Sequence, residues 1–325
     1  MKKRILSMLL IATMALSLCA CVGGKSEEKT ETKETEAKEA EIINPGDPII
    51  VSTMNDTEGE ILGRMMSIIL EDRGYEVVDN THGYSGTVNG RTALLEDETD
   101  IYMDYTGRGL RLIEGVDTSL YSKMDTAFES ISTWDAENND LIWMCYAPFN
   151  NTDALGVRRE WAEENDVFTM EDFAKYVNNG GEVHLLCHDY FATLPTCLPG
   201  FEEAYGFKLS EDQVTISGSN DEQLLAEETN GTNIVHLYSS SGLIGGYDLL
   251  VLEDPKGVAP VYSPSPIIRK ERLDKYPEIQ NVMKEMFESI SIDEMIEMNQ
   301  KVQVDGMSGA DVAREYLLSK GLISK

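Results

Sequence analysis

The chain has 325 residues, 42% of them hydrophobic, with 58 acidic against 27 basic side chains and a formal charge of −31. A surface of that sign repels nucleic acid and anionic lipid and concentrates cations around itself. The length allows one large or two medium domains with a real core.

Lys2, Lys3 and Arg4 precede an apolar run over residues 5–18, which ends in Leu18, Cys19, Ala20 and Cys21. That is the layout of a secretion signal closed by a lipoprotein-type cleavage site, so residues 1–20 are expected to be a signal peptide. The run is shorter than the roughly 20 residues needed to span a bilayer, which disfavours a membrane anchor. Cys21 is the expected lipidated residue, because at Cys19 the bulky Leu18 would sit just before the cut. Residues 25–41 are almost wholly Lys, Glu, Thr, Ser and Ala. They have nothing to bury, so residues 21–46 are expected to be a solvated tether. The expected location is the outer face of the cell membrane, extracellular or periplasmic.

Beyond the tether, strands alternate with helices. Residues 49–52 read as a strand. Asp56 or Thr57 caps a helix with an apolar stripe of Ile61, Leu62, Met65, Met66, Ile69 and Leu70, which Gly74 ends. Strands are expected at 75–78, 100–105, 183–187, 233–238 and 249–252, and a helix at 87–95. The pattern is α/β with a largely parallel sheet.

Three cysteines remain outside the signal, namely Cys145, Cys187 and Cys197. An odd number leaves at least one free thiol. A Cys187–Cys197 disulfide and buried thiols are both open. His184, Cys187, His188 and Asp189 lie close together, but on a strand His184 and Cys187 point to opposite faces, which argues against a shared metal site. The 239–246 stretch lacks the lysine and spacing of a phosphate loop and the form of a hydrolase elbow, so a turn into a helix is expected. Asp104, Asp153 and His188 could serve a secreted hydrolase, yet the chain shows no ordered nucleophile, base and orienting group.

Six segments carry a family likeness: VSTMNDTEGEILG at 51–63, DIYMDYTGRG at 100–109, APFNNTDAL at 147–155, AYGFK at 204–208, YDLLVLED at 247–254 and PVYSPSP at 260–266. The tail adds Met295, Asn299, Gly306, Val312, Ala313, Tyr316, Leu317, Gly321 and Leu322. In this order, over residues 49–323, the chain resembles the solute-binding proteins of glycine betaine, choline and carnitine ABC importers, the OpuC/ProX-like group. The resemblance implies a type II periplasmic-binding-protein fold, with two lobes, two hinge crossings and a ligand cleft. Lobe I would comprise residues 47–150 and 262–325, and lobe II residues 151–261. It further implies a monomer that captures a small cationic amine and hands it to an ABC permease and its ATPase. No cofactor, no metal and no catalytic step are implied. A ligand sensor built on the same fold, or a binder of a polyamine or a metal, is the alternative.

Members of that group hold a quaternary ammonium head in a box of aromatic rings. A trimethylammonium has no N–H to donate, so π faces must attract its diffuse charge. By their neighbouring motifs, Tyr105, Tyr238 and Tyr262 correspond to box tyrosines, with Thr106 and Asn151 beside them. Asp153 stands where the family usually has a tyrosine. Met54 and Leu194 stand where it often has the lysine and arginine that receive a carboxylate. These changes favour a choline-like cation over glycine betaine. Arg108, where the family often has threonine, could pair with Asp153 or receive a displaced carboxylate.

Overall fold

The first strand, β1 (Ile49–Met54), is buried along nearly its whole length and runs straight into a turn. There the carboxylate of Asp56 accepts a hydrogen bond from the Gly59 amide at 2.6 Å and caps the Thr57–Asp72 helix. The expected stripe on that helix is wholly buried. Its far end is released by Gly74 at φ 90°. Residues 42–218 and 221–324 are described in this computed structural model. The expected signal, Cys21 and the tether up to residue 41 lie outside the described residues.

The other strands are β2 (Val77–Tyr84), β3 (Ile101–Tyr105), β4 (Leu141–Trp143), β5 (Asp153–Arg158), β6 (Leu185–Cys187), β7 (Val214–Ile216), β8 (Ile234–Tyr238), β9 (Leu249–Val251) and β10 (Pro264–Arg269). They form two five-stranded sheets, ordered β2-β1-β3-β10-β4 and β7-β6-β8-β5-β9. In the first, β1 is parallel to β2 and β3, while β10 is antiparallel to β3 and β4. In the second, β6 is parallel to β7 and β8, while β5 is antiparallel to β8 and β9.

The sheets are therefore mixed, not largely parallel as the sequence suggests. The physical reason is the crossing of the chain: β5 and β10 each enter a sheet after the chain has come from the other one. Each starts beside the end of a parallel strand, Asp153 opposite Tyr238 and Pro264 opposite Tyr105, and runs back the other way.

Strands β4, β5, β7 and β10 are not among those expected from the sequence, and in β10 Pro264 and Pro266 count against a central strand. β10 is central nonetheless, because the prolines use their carbonyls. Pro266 O accepts from the Met144 amide at 3.0 Å and Pro264 O from Ala147 at 2.9 Å. β2 starts two residues later than expected and extends through polar Asp79, Asn80, Thr81 and His82. As an edge strand bonded only to β1, it has no second partner demanding an apolar pattern.

Two main apolar clusters back the two sheets, one around Tyr102, Met65 and Phe287, the other around Phe173, Phe191 and Phe201. Cys145, Cys187 and Cys197 are buried free thiols. His184 is at the surface beside Glu182, whereas Cys187 is in the core, so the two do not share a site. Residues 243–246 form the helix expected after the serine-rich turn.

Candidate ligand-binding site

In open α/β sheets, ligands gather outside the carboxyl ends of parallel strands, where the loops diverge. Here the ends of β1, β3 and β8 and the starts of β5 and β10 meet at one cavity of about 900 Å³. Its walls include Tyr105, Arg108, Arg111, Asn151, Asp153, Tyr190, Tyr238 and Tyr262. Residues of both sheets therefore line one space.

Each tyrosine is held differently. The Tyr105 hydroxyl donates to Glu58 Oε1 at 2.8 Å. The Arg108 guanidinium lies 5.4 Å from the centre of its ring and also reaches Met54 Sδ at 3.1 Å. Tyr262 is matched by Arg111, which sits 5.3 Å from the ring centre and donates to the phenol oxygen. Tyr238 is the most open of the three, 37% exposed, and its hydroxyl meets that of Tyr190 at 2.8 Å. Two of the three rings thus already carry a protein cation near one face.

Asp153 does not pair with Arg108. Its Oδ1 accepts from Tyr190 at 2.8 Å and from His236 Nε2 at 2.9 Å, while Oδ2 has no hydrogen-bond partner among the described residues. Burial pushes this carboxyl up, but the His236 and Tyr190 contacts outweigh it and hold the group below its ordinary value. It is a buried carboxylate. Arg108 remains a cation: burial disfavours its charge, and the phenols and carboxylates around it more than offset that.

Glu58, on the first turn of the Thr57–Asp72 helix, is 4% exposed and lines the same cavity. Burial pushes its carboxyl up to about 7, against the pull of the Ser240 and Tyr105 hydroxyls. Asn151 donates to its Oε1 at 3.2 Å.

Of the residues expected at the site, Tyr105, Tyr238, Tyr262, Asp153, Arg108 and Asn151 line the cavity, as does Leu194. Met54 and Thr106 lie behind the wall. Met54 packs its sulfur under Arg108, and Thr106 Oγ1 accepts from the Ser263 amide at 3.2 Å, tying the end of β3 to the entry of β10. Asp104 and His188 are not among the lining residues. Sequence reasoning missed Glu58, Arg111, Tyr190 and His236. Glu58 reads as an ordinary acid at a helix N-terminus. Arg111 had a usable signal, three residues after Arg108 and so on the same side of a helical turn.

A family model described as the substrate binding domain of ABC-type glycine betaine transport systems, OpuAC, matches residues 47–319. The chain belongs to that family. A glycine betaine-binding protein of Escherichia coli K12, YehZ, is 32% identical over 284 residues, covering 86% of this chain and 92% of the relative. An ergothioneine transport permease and binding protein of Helicobacter pylori G27, EgtU, is 29% identical over 85% of this chain and 48% of its own longer length. The solved structure of apo YehZ superposes with a TM-score of 0.76 over 85% of this chain and 99% of that one. A glycine betaine/carnitine/choline ABC transporter structure, at 22% identity, also gives 0.76 and supports the fold. As an OpuAC-family member, the chain is the substrate-binding component of an ABC importer of the glycine betaine and quaternary ammonium class. The implied partners are a small solute and a permease, met on the extracellular or periplasmic side.

Proposed function

We propose that the protein captures a zwitterionic quaternary ammonium solute, with its trimethylammonium against the Tyr105, Tyr238 and Tyr262 faces and its carboxylate toward Arg108 and Arg111. The observation that carries this reading is the pairing of two guanidinium groups with three tyrosines on one cavity wall. The choline-like preference expected from the sequence rests on the loss of cationic receivers at Met54 and Leu194. Arg108 and Arg111 supply two others, so a betaine becomes the first reading. The names of the relatives agree in kind, since glycine betaine and ergothioneine are both trimethylammonium carboxylates.

A choline-like cation is the second reading, favoured by one observation: Asp153 brings to the same wall a buried carboxylate whose Oδ2 has no hydrogen-bond partner among the described residues. In either case no bond of the solute is broken. The two lobes, residues 47–150 with 262–325 and residues 151–261, would close over the solute, and a lipid on Cys21 would keep the monomer beside its permease and ATPase.

A thermal-shift panel of glycine betaine, choline, carnitine, ergothioneine, polyamines and Zn²⁺ tests this, because a ligand of the folded state alone raises its melting temperature. Shifts with one or more of the three carboxylate-bearing solutes, and none with choline, are expected. A shift with choline alone would return the reading to a cation held by Asp153. Polyamine or Zn²⁺ shifts alone would overturn both.

A further inference from the structure

Glu58 is buried at the cavity wall, and every hydrogen bond it makes is to a neutral group. On Oε1 these are the Tyr105 hydroxyl at 2.8 Å and Asn151 Nδ2 at 3.2 Å; on Oε2 they are Ser240 Oγ at 2.6 Å and Asn299 Nδ2 at 3.3 Å. No cation among the described residues bonds to it. A charge in such a place is costly unless something positive approaches. The four donors come from β3, from the crossing before β5, from the turn after β8 and from the Ile292–Gln303 helix, so the carboxyl ties both sheets to one point.

Tyr105 connects this carboxyl to the cage. A phenol donating to a carboxylate pushes electron density into its ring, and an electron-rich face attracts a cation more strongly. We propose that Glu58 is the buried counter-charge of the tyrosine cage, a carboxyl that releases its proton to solvent when the solute's cationic head arrives. The exchange balances: the neutral carboxyl and the free solute become a carboxylate facing the bound cation, plus one proton in water. This inference rests on the reading that a cation sits against the tyrosines.

The groups facing Glu58 favour that exchange. Asp56, on its own helix cap, repels the charged form. β3 presents Tyr105, and the short helix after it presents Arg108, which is directed at the Tyr105 ring and Met54. The Ile292–Gln303 helix and the turn after β8 offer only Asn299 and Ser240, and Glu222 is one step away, bonded to Ser241 at 3.3 Å. With burial pushing the carboxyl up to about 7, solute binding below neutrality should expel a proton. Affinity therefore rises with pH up to about neutrality and levels off above it.

The test is calorimetry of glycine betaine, carnitine, ergothioneine and choline, at pH 6 in buffers of different ionisation enthalpy and then from pH 5.5 to 7.5, with wild type and Glu58→Gln. The wild type should release a fraction of a proton per solute bound. Its affinity should gain at least about fivefold between pH 5.5 and 7.5, the low end of ordinary coupling between two sites. Glu58→Gln, checked for folding by its melting curve, should show neither effect. Heat of binding without buffer dependence in the wild type would overturn the inference and leave the ligand reading intact. Absence of binding by all four solutes would sink the ligand reading and the coupling with it. If Glu58→Gln does not fold, carboxyl-carbon NMR of the wild type decides, since a Glu58 midpoint unmoved by solute overturns the proposal.

Discussion

On the proposed reading, solute contact would depend most directly on Tyr238, because its ring is open while those of Tyr105 and Tyr262 already face guanidinium groups. An aromatic face contributes about 0.5–2 kcal/mol to holding a cation. Since 1.4 kcal/mol is a factor of ten, Tyr238→Leu combined with Tyr262→Leu should lower solute affinity by more than about tenfold in calorimetry. Affinity within threefold of wild type would refute the cage. That the three tyrosines share one cavity was legible because each sits in a recognisable local motif. Glu58, Tyr190 and His236 were not, because their meaning lies in partners far along the chain: Ser240 is 182 residues from Glu58, and His236 is 83 from Asp153. Sequence spacing carries no trace of such pairs.

The entry of β10 is packed against the turn after β3, and Gly107 is one of the points of contact. A methyl group there would collide with the Val261 carbonyl and stand 2.6 Å from the Tyr262 ring. Gly107→Ala should therefore cost about 1–3 kcal/mol, the usual penalty for overpacking, read as a lower urea midpoint. Solute affinity should fall too, since Tyr262 must move; an unchanged midpoint would show that the two segments can part freely. At this scale the helix over 57–72 and strands β1, β3, β6, β8 and β9 were legible from periodicity and caps. β10 was hidden by its prolines, which a central strand tolerates only where carbonyls do the bonding. β2 was displaced because an edge strand needs no apolar alternation.

For the whole molecule, charge and address belong together. An acidic chain has no electrostatic hold on anionic lipid, so attachment would rest on Cys21 alone. Cys21→Ser should shift the protein from the membrane fraction to the culture fluid or periplasm on fractionation and immunoblotting; retention at the membrane would exclude the lipid anchor.

The crossings also govern when this protein can become itself. The first sheet closes only when residues 264–269 slot between 101–105 and 141–143, and the second needs 249–251 beside 153–158. Contacts so distant along the chain form late. If the chain is exported from its N-terminus, as its first residues lead one to expect, its first sheet would stay incomplete until most of its length had emerged.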